Sequence, residues 1–283
     1  MQAFVQSLSI KKQIGQGGFG KIYLGQSSED GTSYAVKTIS KASGQSHNIE
    51  REACAGNALQ HKNITNFICH FEDENNDYLI YDYIQGKPKQ IDKILYKSGS
   101  DMFSLLEKRN FKPFTETEAK SIFRQTLNAI DYCHQNGIVH FDVKLDNLMI
   151  DPTTQKVTLI DFGLCDFITR ENNGKFSRRV GSEEYCAPEL LEKSQTPFDG
   201  TKVDIFCLGV VLFAMLSATF PFDIKKRKMA VRQGLAQPAV RFPFAVSNEC
   251  KDLITKMLEQ NPAKRITIEQ IFEHPWLCQM NKL

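Results

Sequence analysis

In the first ninety residues, short apolar runs alternate with turn sequences. The runs QIGQGGFGKIYLGQ and SYAVKTIS are rich in β-forming residues, and the SSEDG between them is typical of a hairpin turn. Further strands are predicted around FICHFE and DYLIYDYI, and a helix is predicted at about residues 47–60. The pattern predicts a small β-rich lobe with one main helix.

After residue 100, apolar positions recur mostly at helical spacing. TETEAKSIFRQTLNAIDYCHQNG has Thr115 as its predicted N-cap, Glu118 three residues later and Gly137 at its end. Two short strands, LMID and KVTLID, are joined by the turn PTTQ. The eighteen residues 205–222 carry no charge and reach the lower limit for a membrane span, but their Gly, Ser, Thr and Pro favour a buried helix. We therefore expect an α+β fold with a mostly helical second lobe.

The two lobes are predicted to meet near residue 82. The stretch GKPKQIDKILYKSGS, residues 86–100, is rich in Lys with Gly, Pro and Ser at its ends, which is typical of a linker or insert. We place the small lobe at about 1–82, the hinge and insert at about 82–100, and the large lobe at about 101–283. All three belong to one predicted domain.

Composition and charge narrow the classes of partner and compartment. Thirty-five Lys and Arg against 33 Asp and Glu give a net charge of +2, so we expect no nucleic-acid and no membrane partner. Eight cysteines without a C-x-x-C pair, and an N-terminus without a secretory pattern, favour the cytoplasm. The KKRK at residues 225–228 is a candidate nuclear import signal or docking patch, although a solvated loop before a surface helix is favoured.

A glycine-rich stretch, GQGGFG, lies between the first two predicted strands. Glycines there let backbone amides approach phosphate groups with no Cβ in the way, although a simple hairpin turn gives the same pattern. Seventeen residues after Gly20, Lys37 stands on an alternating strand, where a lysine facing a nucleotide can pair with its phosphates. Together the two features indicate a phosphate-binding site.

A second polar stretch, HFDVKLDN at residues 140–147, surrounds Phe141 with groups suited to proton and metal chemistry. It is followed by DFG at 161–163 and APE at 187–189. With GQGGFG and AVK, these five motifs in this order resemble the eukaryotic protein kinase family. The resemblance extends from Ile10 to Trp276.

The resemblance is to the Ser/Thr type of kinase, because Lys144 and the stretch GSEEYCAPE match that branch. The endings NPAKR and EHPWL are most like the calmodulin-dependent and AMP-activated group. The resemblance to Ser/Thr kinases implies a bilobal protein kinase fold, ATP and Mg²⁺ as cofactors, and protein substrates with Ser or Thr acceptors. The resemblance does not indicate an oligomeric state.

Catalytic roles follow from the resemblance. Asp142 would orient the acceptor hydroxyl and take its proton, while Lys144 would neutralise charge on the transferring phosphoryl group. Asn147 and Asp161 would bind Mg²⁺ through oxygen ligands.

The resemblance also assigns a nucleotide site. Lys37 would hold the α- and β-phosphates and pair with Glu52, which is preferred over Glu50 on the spacing to His61. The expected ATP-binding residues are Ile14, Gly15, Gly17, Gly18, Gly20, Ile22, Ala35, Lys37, Asp82 and Ile84.

Two positions are expected to contact the protein substrate. Asp101 stands where similar kinases that favour basic peptides carry an acid for an Arg before the acceptor. Ser182 would line the acceptor site. Because Ala214 replaces a second acid of the most Arg-demanding members, we expect a moderate preference for basic residues.

Phe141 departs from the family pattern. Most members carry Arg there, and that Arg binds a phosphate on the activation segment. The usual phospho-acceptor position holds Arg178. Phosphate and receptor are missing together, which predicts activity independent of activation-loop phosphorylation. The alternative is that Ser177 is phosphorylated and bound by another basic group.

Gly56 is a second departure, since the family carries an apolar residue four positions after Glu52. Either Phe67 and Tyr81, the predicted gatekeeper, fill the gap, or the helix is loose and a regulatory partner sets its position. The two departures suggest a rival function, a pseudokinase acting as a binding scaffold.

A second rival is a small-molecule phosphotransferase of similar architecture. The APE motif, with Ser182 before it, argues for a platform that binds peptides. The resemblance also assigns scaffold roles to Asp204, which would brace the catalytic loop, and to a buried Glu189–Arg265 ion pair.

Overall fold

The computed structural model describes residues 2–17, 20–44, 46–84, 100–151, 153–192, 196–233 and 239–278. The first part of the chain forms a five-stranded antiparallel sheet in the order β1-β2-β3-β5-β4. Its strands are β1 (Leu8–Gly17), β2 (Gly20–Ser27), β3 (Ser33–Ser40), β4 (Phe67–Glu72) and β5 (Asn76–Asp82). Helix α1 (Gln2–Ser7) precedes the sheet, and α2 (Ser46–Ala58) lies between β3 and β4.

The sheet buries apolar residues on both faces, as alternation along its strands requires. On the face covered by α2, Ile39, Phe67 and Leu79 pack with Ile49 and Ala53 of the helix. The other face buries Val36, Cys69 and Ile80, with Phe4 and Leu8 packed against them. Helix α2 is therefore fixed to the sheet through its apolar side, which leaves its other residues free to meet the active-site cleft.

The second part of the chain is mostly helical. Its helices are α3 (Met102–Lys108), α4 (Glu116–Gln135), α5 (Pro188–Leu191), α6 (Gly200–Ser217), α7 (Ile224–Arg232), α8 (Asn248–Met257), α9 (Ile268–Phe272) and α10 (Pro275–Cys278). Short strand pairs join them: β6 (Ser100–Asp101) with β8 (Leu148–Ile150) and β9 (Val157–Leu159), β7 (Ile138–Val139) with β10 (Asp166–Phe167), and β11 (Lys175–Phe176) with β12 (Phe198–Asp199). The predicted α+β fold is confirmed.

Helix α4 begins and ends where the sequence predicts. The Thr115 side chain accepts a hydrogen bond from the backbone of Glu118, whose carboxylate bonds back to Thr115, so both halves of a capping box are present. Gly137 takes a left-handed φ of 71° just after the helix.

The apolar run 205–222 is not one helix, because α6 both starts and stops five residues earlier. Asp199 caps its start by accepting from the backbone of Thr201, and Ala218 ends it with a left-handed φ of 55°. Although α6 is long and apolar enough to span a membrane, 83% of it is buried inside the protein. It is the central helix of the large lobe.

Residues 225–228, KKRK, lie in α7, so the expected solvated loop is wrong. Arg227 is 1% exposed and donates from Nη1 to the carbonyl of Cys186 at 2.9 Å. Its guanidinium lies 5.2 Å from the ring centre of Phe206 and 4.8 Å from that of Phe222. The four cations are therefore not all presented to solvent. Gly18 and, of the predicted insert at 86–100, all residues except Ser100 lie outside the described residues.

Candidate active site

Three charged side chains from separate elements meet between the lobes. Lys37 of β3 donates from Nζ to both carboxylate oxygens of Glu52 in α2, at 2.8 and 2.7 Å, and to Oδ1 of Asp161 at 2.8 Å. Burial disfavours the lysine cation, but the two carboxylates outweigh it and raise the pKa of Lys37. Glu50, the alternative partner, is exposed. Lys37 therefore remains a cation that ties α2 to the DFG motif.

Gly163 makes this close approach feasible. A Cβ there would lie 3.2 Å from oxygens of both Asp161 and Glu52, and 3.3 Å from Nζ of Lys37. Burial by itself would raise the pKa of Asp161, but Lys37 and the Gly163 amide hold it below its usual value. Asp161 thus stays an anionic oxygen donor at the cleft.

Phe67 and Tyr81 occupy the space beside Gly56. A Cβ on Gly56 would lie only 2.5 Å from Cγ of Phe67, so the ring fills the place of the missing side chain. Tyr81 packs edge-on against Phe67, with ring centres 5.4 Å apart, and its hydroxyl donates to Oε1 of Glu52 at 2.7 Å. Of the two predicted alternatives, the structure has the filled one.

The catalytic loop brings Asp142, Lys144 and Ser182 together. Lys144 Nζ lies 2.7 Å from Oδ2 of Asp142 and donates to Oγ of Ser182 at 2.8 Å. Ser182 in turn donates from Oγ to Oδ1 of Asp142 at 2.9 Å. Asn147 donates from Nδ2 to the backbone carbonyl of Asp142 at 2.8 Å and to Oδ2 at 3.1 Å. Asp142 is thereby fixed on both sides while 5% exposed.

Asp204, buried at the start of α6, braces this loop from below. Its carboxylate accepts from the backbone amides of His140 and Phe141, each at 2.9 Å, and lies 2.8 Å from Nε2 of His134. These contacts hold the backbone of Phe141 at a left-handed φ of 63°. The unusual geometry of the loop therefore depends on an aspartate about sixty residues further along the chain.

The β1–β2 hairpin, β3 and β5 carry the residues that are expected to bind the nucleotide. Gly15 pairs with Ile22 across the hairpin, and Gly17 pairs with Gly20. Gly20 is required by close approach, since a Cβ there would lie 2.3 Å from the carbonyl of Thr38. Of the other residues expected to bind ATP, Ile14 is exposed in β1, Ala35 lies in β3, Asp82 ends β5 and Ile84 follows it.

Phe141 is the centre of an aromatic cluster. Its ring centre lies 5.1 Å from that of Phe176 and 6.2 Å from that of Phe198, both nearly perpendicular to it. Gly200 leaves room for the cluster, because a Cβ there would lie 2.7 Å from Phe176 and 2.9 Å from Phe141. The catalytic loop, the activation segment (residues 161–189) and the start of α6 are thus joined by apolar contact.

Two carboxylates, Asp101 and Asp146, are candidates for contact with a protein substrate. Asp101 caps α3 by accepting from the amide of Ser104 at 2.7 Å and from its hydroxyl at 2.6 Å. Asp146, which the sequence analysis missed, is exposed. Loss of part of its water shell, followed by the charges of Asp101 and Asp142, raises the pKa of Asp146. The sequence feature that could have identified Asp146 is its position two residues after Lys144 in the HFDVKLDN stretch.

The donor set at the cleft fits a magnesium ion. Asn147 uses its amide nitrogen on Asp142, which leaves its amide oxygen as the ligand. Asp161 holds Lys37 through Oδ1 and retains a second oxygen. Among the described residues no group of three or more His, Cys, Asp or Glu side chains forms a closed metal site. Mg²⁺ is usually held by one or two such protein oxygens together with substrate phosphates and water.

The remaining expected contacts belong to the scaffold. Arg265 donates from Nη1 and Nη2 to the two oxygens of Glu189, at 2.7 and 2.9 Å, as a buried bidentate pair.

Cys165 and Cys186 of the activation segment are buried, and burial raises the pKa of the Cys186 thiol to about 12. Neither thiol is therefore an exposed thiolate.

Comparison with known proteins agrees with this geometry. The family model described as "Protein kinase domain" matches residues 8–277. Serine/threonine-protein kinase ppk25 of Schizosaccharomyces pombe is 33% identical over 95% of this chain and 59% of its own length. CBL-interacting protein kinase 3 of Oryza sativa subsp. japonica is 30% identical over 94% and 57%, respectively. Sperm motility kinase 3A of Mus musculus is 34% identical over 94% and 49%. The chain thus spans about half to three-fifths of the length of these relatives.

Proposed function

Since this chain belongs to the protein kinase domain family, we propose that it transfers the γ-phosphoryl group of Mg·ATP to Ser and Thr hydroxyls of proteins. The observation that carries the proposal is the pair of networks centred on Lys37 and Asp142. A binding scaffold does not require both. The names of the relatives, which include serine/threonine-protein kinase ppk25, support the choice of Ser and Thr acceptors.

In this proposal each side chain has a distinct task. Lys37 binds the α- and β-phosphates while Glu52 fixes its position. The carboxylate of Asp142 accepts a hydrogen bond from the hydroxyl of the substrate and so orients the attacking oxygen. As that oxygen bonds to phosphorus and ADP leaves, Asp142 takes the proton. Lys144, 2.7 Å from Asp142, provides positive charge next to the transferring group. Ser182 aligns Asp142 and Lys144 with the peptide platform.

Asn147 and Asp161 would hold Mg²⁺. The ion supplies charge neutralisation across the phosphate oxygens. The chain's contribution is a fixed pair of oxygen donors, because Asn147 is tied to Asp142 and Asp161 to Lys37. Phosphoryl transfer is mainly a matter of positioning and electrostatics, and hydrogen bonds fix the position of both donors.

We further infer that activity does not require phosphorylation of the activation segment. Phe141 stands where the family's phosphate-binding Arg stands, and its ring is 2% exposed against Phe176 and Phe198. Burial of this apolar contact holds the activation segment in place, which in other kinases a phosphate group does by pairing with a cation. The outcome favouring the alternative would be activity that depends on a phosphate at Ser177.

We also infer a moderate preference for basic peptides. Asp101 and Asp146 supply two carboxylates near the catalytic loop, and the charge of Asp101 acts on Asp146. A guanidinium placed between them would relieve their repulsion and form charge-assisted hydrogen bonds. Ala214 is buried in α6 and supplies no third charge.

The test is peptide phosphorylation by purified, phosphatase-treated protein with Mg·ATP. Expected is phosphate incorporation at Ser and Thr of basic peptides by the wild type, none by Asp142→Asn, and wild-type rates for Ser177→Ala. A silent wild type that still binds ATP would overturn the enzyme proposal in favour of a scaffold. Turnover of free sugars or aminoglycosides with no peptide turnover would favour a small-molecule phosphotransferase.

A further inference from the structure

Arg178 lies on the activation segment and folds back onto the start of that segment. Its Nη2 donates to the carbonyl of Leu164 at 2.6 Å and to that of Cys165 at 3.0 Å. Its Nε lies 3.4 Å from Oδ2 of Asp166. One guanidinium therefore contacts three consecutive residues just after the DFG motif, twelve or more positions away along the chain.

Asp166 is itself fixed. It belongs to β10, which pairs with β7 so that Asp166 lies opposite Val139, the residue before the catalytic loop. Its Oδ1 accepts from the amide of Phe167 at 2.9 Å. The side chains of Arg178 and Asp166 are 28% and 23% exposed, so water screens their attraction only in part.

The same aspartate contacts α2. Arg51 lies with its Nε 3.8 Å from Oδ1 of Asp166, and the thiol of Cys165 donates to the carbonyl of Arg51 at 3.8 Å. Arg51 directly precedes Glu52, the partner of Lys37. A chain of contacts thus runs from Arg178 through Asp166 and Cys165 to the turn of α2 that carries Glu52.

We propose that Arg178 is a positioning residue that holds the start of the activation segment against α2, and thereby keeps Glu52 on Lys37, without a phosphate group. The ion pair of Arg178 with Asp166 supplies this link between the activation segment and α2. The inference rests on the proposed kinase activity and explains how phosphate independence would extend from the catalytic loop to the small lobe. Arg178 touches neither Lys37 nor Asp142 in the structure, so it acts through Asp166 and Cys165.

A double-mutant cycle tests the link. Arg178→Gln and Asp166→Asn are each expected to lower kcat/KM about tenfold, and the double variant to fall no further than the lower single, because both remove one interaction. Hydrogen exchange in α2 should quicken in all three. Lys175→Gln is the matched control. It removes a cation from the same segment, but that cation pairs with Asp199 at 3.6 Å rather than with a residue that contacts α2.

Several outcomes separate the proposals. Additive losses in the double variant, or unchanged kcat/KM and α2 exchange in Arg178→Gln, would overturn the positioning role while wild-type activity upheld the enzyme. A wild type without activity would instead defeat the proposed function itself. If Arg178→Gln does not fold, Arg178→Lys replaces it, since lysine retains the charge but not the fork that reaches the carbonyls. Reduced kcat/KM at an unchanged melting temperature supports the role, and unchanged kcat/KM contradicts it.

Discussion

The hydroxyl of Tyr81 donates a 2.7 Å hydrogen bond to Oε1 of Glu52, the carboxylate that also binds Lys37. Burial, and then the charge of Glu52, raises the pKa of Tyr81 well above its ordinary value, so the phenol remains a donor. The gatekeeper position thus does more than narrow the pocket behind the nucleotide. It adds a second bond to the glutamate, and a ligand that enters behind Tyr81 must break it.

Tyr81→Phe is expected to lower kcat/KM for ATP several-fold and to destabilise the fold by about 1.5–3 kcal/mol, the range for a hydrogen bond to a charged group. Steady-state kinetics and urea unfolding measure the two effects. Tyr78→Phe is the control, because Tyr78 lies on the same strand and donates a 2.7 Å bond to the exposed Asp73. Equal effects of the two substitutions would contradict a special role for the Glu52 bond.

Phe141→Ala is expected to destabilise the protein by about 3–5 kcal/mol and to loosen the activation segment, since it leaves a cavity beside Phe176 and Phe198. Phe141→Leu, which retains most of the apolar volume, should cost less than half as much. Urea unfolding and proteolysis of the segment report both effects. Wild-type stability of the alanine variant would show that the cluster does not hold the segment.

Gly56→Ala is expected to destabilise the protein, although alanine is normally the better helix former by about 1 kcal/mol. The reason is the Cβ position, 2.5 Å from Cγ of Phe67. Combining it with Phe67→Leu should recover part of the loss. Thermal unfolding is the measurement, with exposed Asn57→Ala on the same helix as the control. A higher melting temperature for Gly56→Ala alone would refute the packing argument.

Asp146→Asn is expected to raise KM for an Arg-containing peptide about tenfold, and to leave KM for a peptide without basic residues unchanged. Exposed Glu107→Gln, on α3, controls for a general loss of negative charge. The pH dependence follows from the raised pKa of Asp146. Its charge is present above that pKa, so the Arg preference of the wild type should fade on acidification at a higher pH than an ordinary aspartate would give. Equal KM changes for both peptides would contradict the assignment.

The sequence alone predicts features that depend on residues close together along the chain. The helix caps of α4 and the division into a β-rich and a helical lobe follow from patterns along the chain, whereas the choice of Glu52 over Glu50 came from the resemblance to kinases. The filling of the Gly56 gap could be named but not decided, because it depends on how far Phe67 on β4 leans toward α2.

Pairings between distant segments could be named only where the resemblance to kinases supplies them, as for Glu189 and Arg265. The sequence shows that Arg178 has the wrong charge for a phosphate site, but its ion pair with Asp166 requires the activation segment to fold back on itself. The burial of Arg227 likewise depends on α6 and the loop after it supplying aromatic rings. In each case a charged residue that looks solvated in sequence finds its partner through tertiary contact.

The aromatic cluster around Phe141 also bears on how signalling by such an enzyme would end. Apolar contacts have no chemical bond for a phosphatase to cleave, and their strength depends little on ionic strength. If the segment is held this way, a phosphatase that acts on the segment would not switch the kinase domain off. Control of the domain would then have to act on something other than a covalent mark on this segment.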